Sequence, residues 1–203
     1  MKIFCIGRNY AEHAKELNNE VPDAPVIFMK PQTALLQNNK PFYFPDFTKD
    51  LHYETEIVLK IGKNGKNVPE NFASKYIDSV TVGIDFTARD LQSKQKAKGL
   101  PWEISKAFDH SAVIGKWIPL SEIKKLNAIQ FCMYQNKTLK QNGNTKDLIF
   151  PFEKIISYIS KFFTLQKGDL LFTGTPFGVG QVTIGDKIEA FIGNDSLLEF
   201  EIK

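Results

Sequence analysis

The run His52-Tyr53-Glu54-Thr55-Glu56-Ile57-Val58-Leu59-Lys60-Ile61 decides the fold. It is rich in β-branched and apolar residues and stops at Gly62, which predicts a strand. Alternation along a strand puts Tyr53, Thr55, Ile57, Leu59 and Ile61 on one mostly apolar face. His52, Glu54, Glu56, Val58 and Lys60 share the other. Carboxylates two residues apart on one face lie roughly 7 Å apart by strand rise, a span that one hard cation bridges. The alternative is a solvated polar face. A third acid and a concave setting would separate the two.

Outward from this run the chain reads as many short strands with a few helices between them. Lys2 to Ile6 and Val26 to Met29 are buried-type runs, the second ending in Lys30, which is either a solvated rim residue or an anion ligand at a pocket mouth. Between them Ala11 to Leu17 predicts a helix, with Asn9 as its N-cap. His13 and Glu16 are three apart on that helix and so are neighbours, either a passive exposed pair or a base and its orienting carboxylate. Val80 to Thr87 reads as a strand carrying one acid, Asp85, among residues that want burial. A buried carboxylate needs a partner, and either a metal or a base such as Arg89 would serve.

Further on, Lys94 to Gly99 reads as a solvated helix end. Gln135-Asn136-Lys137 predicts a hairpin turn, Phe152 to Phe163 has a helical period, and Gly193-Asn194-Asp195 predicts a second hairpin. Thr173-Gly174-Thr175-Pro176-Phe177-Gly178-Val179-Gly180 is a Gly-rich loop after a strand. It lacks the Gly-Lys-Ser/Thr ending of a P-loop, but its backbone N–H groups can bind carboxylates. Strands with few helices favour packed or rolled sheets over a βαβ repeat.

The 203 residues fit one domain, and 17 Phe suit an aromatic-packed β interior. A balance of 26 basic against 23 acidic residues, with no basic stripe, does not point to nucleic acid. No apolar run approaches the roughly 18 residues of a membrane span. Cys5 and Cys132 lie in apolar runs and read as reduced core thiols of a cytoplasmic protein.

Seven pieces then occur together in one order: Gly7-Arg8-Asn9-Tyr10-Ala11-Glu12-His13, Phe28-Met29-Lys30-Pro31, Leu51 to Glu56, Asp85-Phe86-Thr87-Ala88-Arg89-Asp90, Lys98-Gly99-Leu100-Pro101-Trp102, Ser105-Lys106 and Thr173 to Gly180. With these the chain resembles the fumarylacetoacetate hydrolase family, in particular its small single-domain acylpyruvase and oxaloacetate decarboxylase-like members. The resemblance spans nearly all of residues 1–203. It implies an α+β, mainly β fold, a mixed β-sandwich roll with a few flanking helices and a short N-terminal lid helix.

It also implies that Glu54, Glu56 and Asp85 hold a divalent metal, Mg²⁺ or else Mn²⁺ or Ca²⁺, since all-oxygen ligation suits hard cations. His13 and Glu16 match a dyad on the lid, and Lys106 matches the active-site lysine. Arg8, Tyr10, Lys30, Gln92 and Thr175 match positions lining the substrate site. The implied reaction is cleavage of acylpyruvate-type 2,4-dioxo acids to pyruvate and a carboxylate, with water activated by His13. Decarboxylation or keto–enol tautomerisation of oxaloacetate is the alternative on the same site, and a catalytically silent binding domain is a third reading. A homodimer is the implied assembly.

Overall fold

The computed structural model describes residues 1–16 and 21–203, with only the backbone of His13, Ala14 and Lys15. Its strands form three sheets among the described residues. In the largest, the strands run in the order Val26–Lys30, Ile3–Gly7, Leu170–Phe172, Thr55–Ile61, Ile77–Asp85, Ala112–Ile114 and Leu35–Leu36, and Ile118–Pro119 adds to Ile77–Asp85. A four-stranded sheet joins Thr138–Asn144, Gln130–Gln135, Lys187–Ile192 and Asp195–Glu201. A small one joins Gly180–Gln181, Leu51–Tyr53 and Thr87–Ala88. This is the mainly β, rolled arrangement expected, with Ala11–Glu16 as the short N-terminal helix.

The deciding run is two strands. Leu51–Tyr53 belongs to the small sheet and Thr55–Ile61 to the large one, and the chain changes sheet at Glu54. The run from Val80 breaks in the same way at Phe86, between Ile77–Asp85 and Thr87–Ala88. The two breaks are tied together, because the Asp85 N–H donates to the Glu54 carbonyl at 2.8 Å. The polar face of Glu54 and Glu56 is therefore buried against its surroundings, not solvated.

Both faces of the large sheet are covered. Ile57, Leu59, Val80 and Val82 pack with Phe131, Met133, Ile188, Ala190 and Leu198 of the four-stranded sheet. Val58, Ile114 and Phe172 pack with Ile3 and Cys5 in a second, smaller cluster. Each large apolar side chain so buried contributes roughly 1.5–3 kcal/mol. The helix Phe152–Phe162 buries Phe152, Ile155, Ile156 and Ile159, the stripe its period demands. Both expected hairpins form. Asn136 and Lys137 adopt φ of 52° and 64°, the left-handed pair that a two-residue turn requires. Both cysteines are free thiols, as expected.

Asn9 departs from its expected role as a cap. Its Nδ2 donates to the Phe150 carbonyl at 3.1 Å and the Thr173 carbonyl at 2.8 Å, and its Oδ1 accepts from the Phe150 N–H at 2.8 Å. The side chain is a buried strut that ties the segment before the N-terminal helix to the Gly-rich loop.

Candidate metal centre

Because the chain changes sheet at Glu54, this residue faces Glu56 and Asp85 across a seam between sheets. Carboxylate oxygens of the three lie within 4.8 Å of one another, and all three residues are buried. Lys106, from the short helix Glu103–Lys106, reaches between two of them. Its Nζ donates to Glu54 Oε2 and to Asp85 Oδ2, each at 2.7 Å. Arg89 Nη2 donates to Glu54 Oε1 at 2.6 Å, and Nη1 to Gln92 Oε1 at 2.7 Å. The Gly174 N–H donates to Glu56 Oε2 at 2.7 Å. That approach needs a glycine: φ is +104°, and a Cβ there would lie 2.7 Å from the Asn9 Cβ.

Behind Asp85, the Lys30 Nζ lies 2.7 Å from Oδ1 as an ion pair. The same ammonium donates to Ser111 Oγ at 3.0 Å, to the Ser111 carbonyl at 3.1 Å and to the Lys106 carbonyl. Those acceptors compete for its protons, and Asp85 Oδ1 is held by the ion pair with no aligned hydrogen bond. Burial pushes the Glu56 carboxyl well above the ordinary carboxylate range; Asp85 adds to the rise and the Gly174 N–H opposes it. Burial alone would draw Lys106 down, but Asp85 and then Glu54 outweigh it and the ammonium is held above its ordinary range. A compact set of buried hard oxygen donors, one of them reluctant to ionise without a further cation, fits a divalent ion.

The cleft over these acids is walled by Phe28 and Trp102 and rimmed by Arg8, Arg89 and Lys96, with Lys106, Gln92 and Thr175 also in its lining. Such a site has hard-metal ligands at its floor and cations at its rim, and it suits a small chelating anion. Over residues 2–203 the chain matches the family described as Fumarylacetoacetate (FAA) hydrolase C-terminal. The chain belongs to the fumarylacetoacetate hydrolase family.

Among relatives, it is 43% identical over 202 residues to "Oxaloacetate tautomerase FAHD1, mitochondrial" of Arabidopsis thaliana, covering 100% of this chain and 91% of the relative. It is 43% identical over 203 residues to "Oxaloacetate decarboxylase, mitochondrial" of Dictyostelium discoideum, covering 99% and 93%. Among solved structures, fumarylpyruvate hydrolase from Pseudomonas aeruginosa in complex with Mn²⁺ and pyruvate superposes with a TM-score of 0.94 at 36% identity, covering 100% of this chain and 89% of that one. The chain is an enzyme of this family, and its fold is the family's fold.

The residues that the family resemblance singles out do not all meet in the cleft. Glu54, Glu56, Asp85, Lys106, Arg8, Gln92 and Thr175 line it together. Arg8 does so from a left-handed backbone, φ 59°. Lys30 lies behind Asp85 with its side chain fully buried, so it is neither a rim residue nor part of the cleft wall. Tyr10 lines a neighbouring cavity with Lys140, Asn142 and Phe177, and its hydroxyl donates to the Asn144 carbonyl at 3.3 Å. Glu16 Oε1 accepts from the Gly178 N–H at 3.2 Å, which sets the N-terminal helix against the Gly-rich loop. The side chain of His13 lies outside the described residues.

Besides Asn9, three cationic residues were misread from the sequence: Arg89, Lys30 and Lys96. Arg89 pairs with Glu54, while Lys30 and Lys106 meet Asp85. The spacing of Arg89 and Gln92, three apart on one helix, carried the signal that they share a face. Lys96 is not a solvated helix end, since it enters the cleft lining, with Nζ 5.7 Å from the Trp102 ring centre. Burial and then the charges of Arg89 and Arg8 draw its ammonium below its ordinary range. No helix among the described residues is long and apolar enough to cross a membrane.

Proposed function

We propose that the chain is a divalent-metal-dependent enzyme of small anionic 2-oxo acids. The observation that carries this reading is the buried Glu54, Glu56 and Asp85 set beneath a cation-rimmed cleft. Mg²⁺ is the proposed ion in the cell, held by those three acids. A bound divalent ion supplies a Lewis acid for the 2-oxo oxygen and for the negative charge that develops as an enolate forms. Arg8, Arg89 and Lys96 attract and orient the substrate carboxylates. Lys106 adds positive charge beside the reacting oxygen, and Gln92 and Thr175 offer hydrogen bonds.

Two reactions use this arrangement. The two relatives at 43% identity are named for oxaloacetate chemistry, which supports keto–enol tautomerisation or decarboxylation of oxaloacetate. In tautomerisation a proton leaves C3 and another arrives on the 2-oxo oxygen. Hydrolysis of an acylpyruvate is supported by the fumarylpyruvate hydrolase structure and by the N-terminal helix, where Glu16 sits against the Gly-rich loop. There His13, oriented by Glu16, takes a proton from the water that attacks the distal carbonyl.

The deciding experiment follows oxaloacetate ketonisation and pyruvate release from oxaloacetate and acetylpyruvate, with Mg²⁺ and with chelator. Chelator is expected to abolish every rate, and chelator-resistant turnover would sink the metal reading. His13→Ala is expected to reduce acetylpyruvate hydrolysis by more than about 100-fold, as loss of a general base does. It should slow decarboxylation far less, and an equal loss in both would remove the water-activating role.

A further inference from the structure

Gln141 lies in the strand Thr138–Asn144, outside the segments that build the metal centre, and is 1% exposed. Its amide joins two of them. Oε1 accepts from the Thr55 N–H at 2.8 Å, between the acids Glu54 and Glu56. Nε2 donates to the Pro176 carbonyl at 2.9 Å and to Thr175 Oγ1 at 2.8 Å. The amide cannot be turned over: a backbone N–H only donates and a backbone carbonyl only accepts, so Oε1 must face Thr55 and Nε2 must face Pro176.

This fixes the Thr175 hydroxyl. An amide NH₂ has protons to give and no lone pair to offer, so Thr175 Oγ1 is the acceptor in that contact. Its own proton must point elsewhere, and among the described residues it has no acceptor. Thr175 is 2% exposed and lines the cleft beside Glu54, Glu56 and Asp85. We propose that Gln141 is a positioning residue that orients the Thr175 hydroxyl as a hydrogen-bond donor to an anionic oxygen of the substrate. This rests on the reading of the cleft as a 2-oxo acid site. Without Gln141 the hydroxyl turns freely and can present a lone pair to the incoming anion.

The test uses Gln141→Met, Thr175→Val and the double variant, all loaded with Mn²⁺, with oxalate affinity read by calorimetry. Each single variant is expected to bind oxalate roughly tenfold more weakly, the worth of a hydrogen bond to a charged group. The double variant should be no weaker than Thr175→Val alone, with Mn²⁺ affinity unchanged by Gln141→Met. Losses that multiply would overturn the proposal, as would unaltered oxalate affinity in Gln141→Met. Weakened Mn²⁺ binding would assign Gln141 to the Thr55 segment instead and overturn it equally.

If Gln141→Met fails to fold, Gln141→Glu keeps an acceptor for Thr55 but, when ionised, draws the Thr175 proton away from the cleft. It too should weaken oxalate binding, and unchanged binding overturns the proposal. Oxalate binding with the expected pattern but no turnover of any 2-oxo acid would remove the proposed function and leave Gln141 its role. A wild-type protein that does not bind oxalate overturns both.

Discussion

Asp85→Asn is expected to remove divalent-ion binding and turnover together, and to weaken the fold. The carboxylate is inaccessible to solvent and meets two ammonium groups, Lys30 at Oδ1 and Lys106 at Oδ2, each at 2.7 Å. An amide supplies no charge to either, and its NH₂ would face one of the two cations. Removing one partner of a buried ion pair costs about 3–5 kcal/mol, because the other charge stays buried without compensation. In a chain of this size that lowers the melting temperature by roughly 10 °C. Mn²⁺ affinity, measured by calorimetry on the folded variant below its melting point, should fall by more than the ~100-fold that loss of a mere supporting group brings. A folded variant with unimpaired Mn²⁺-dependent turnover would remove Asp85 from the ligand set.

Lys30→Met separates two roles that the sequence left open. A lysine that binds substrate at a pocket mouth would, when replaced, raise KM and leave stability alone. The structure puts this ammonium under Asp85, where it also holds Ser111 and the carbonyl of Lys106. Methionine fills much of the same space without charge. The expected result is a loss of about 3–5 kcal/mol in denaturant unfolding, since Asp85 loses a buried counter-charge. Metal affinity should fall ~10–100-fold, as happens when a group that orients a ligand is removed. A change confined to KM would restore the substrate-binding reading.

Much of this site was legible in the sequence, and what was missed has a common cause. The alternation of Glu54 and Glu56 and the isolation of Asp85 follow from short-range rules, and those residues meet in the structure. So do the hairpin turn at Asn136-Lys137 and the apolar stripe of Phe152–Phe162. The change of sheet at Glu54 was not visible, because strand residues look alike whichever neighbour they pair with. Long polar side chains were misread for a related reason. Lys30, Lys96, Arg89 and Asn9 take their meaning from partners distant in sequence, and residue type does not say whether a lysine ends in water or under a carboxylate. Gln141 sits in an ordinary hairpin strand; only the fold carries its amide to Thr55 and Thr175.

The pairing of Glu54 and Asp85 with Lys30, Lys106 and Arg89, with Glu56 held by a backbone N–H, bears on the order of events. The two paired acids are matched by cations, and burial favours the uncharged form of Glu56, so the protein assembles this buried cluster without needing an ion to neutralise it. The same pairing spends the charge of Lys30, Lys106 and Arg89 on Glu54 and Asp85 and leaves the floor of the cleft with little net pull on an anion. A divalent cation lets Glu56 ionise and still adds positive charge, which a carboxylate substrate offsets. Cation and anion then strengthen each other's hold by one shared factor, as linkage requires. The supply of the ion thereby sets how much of the folded protein is able to capture substrate at all.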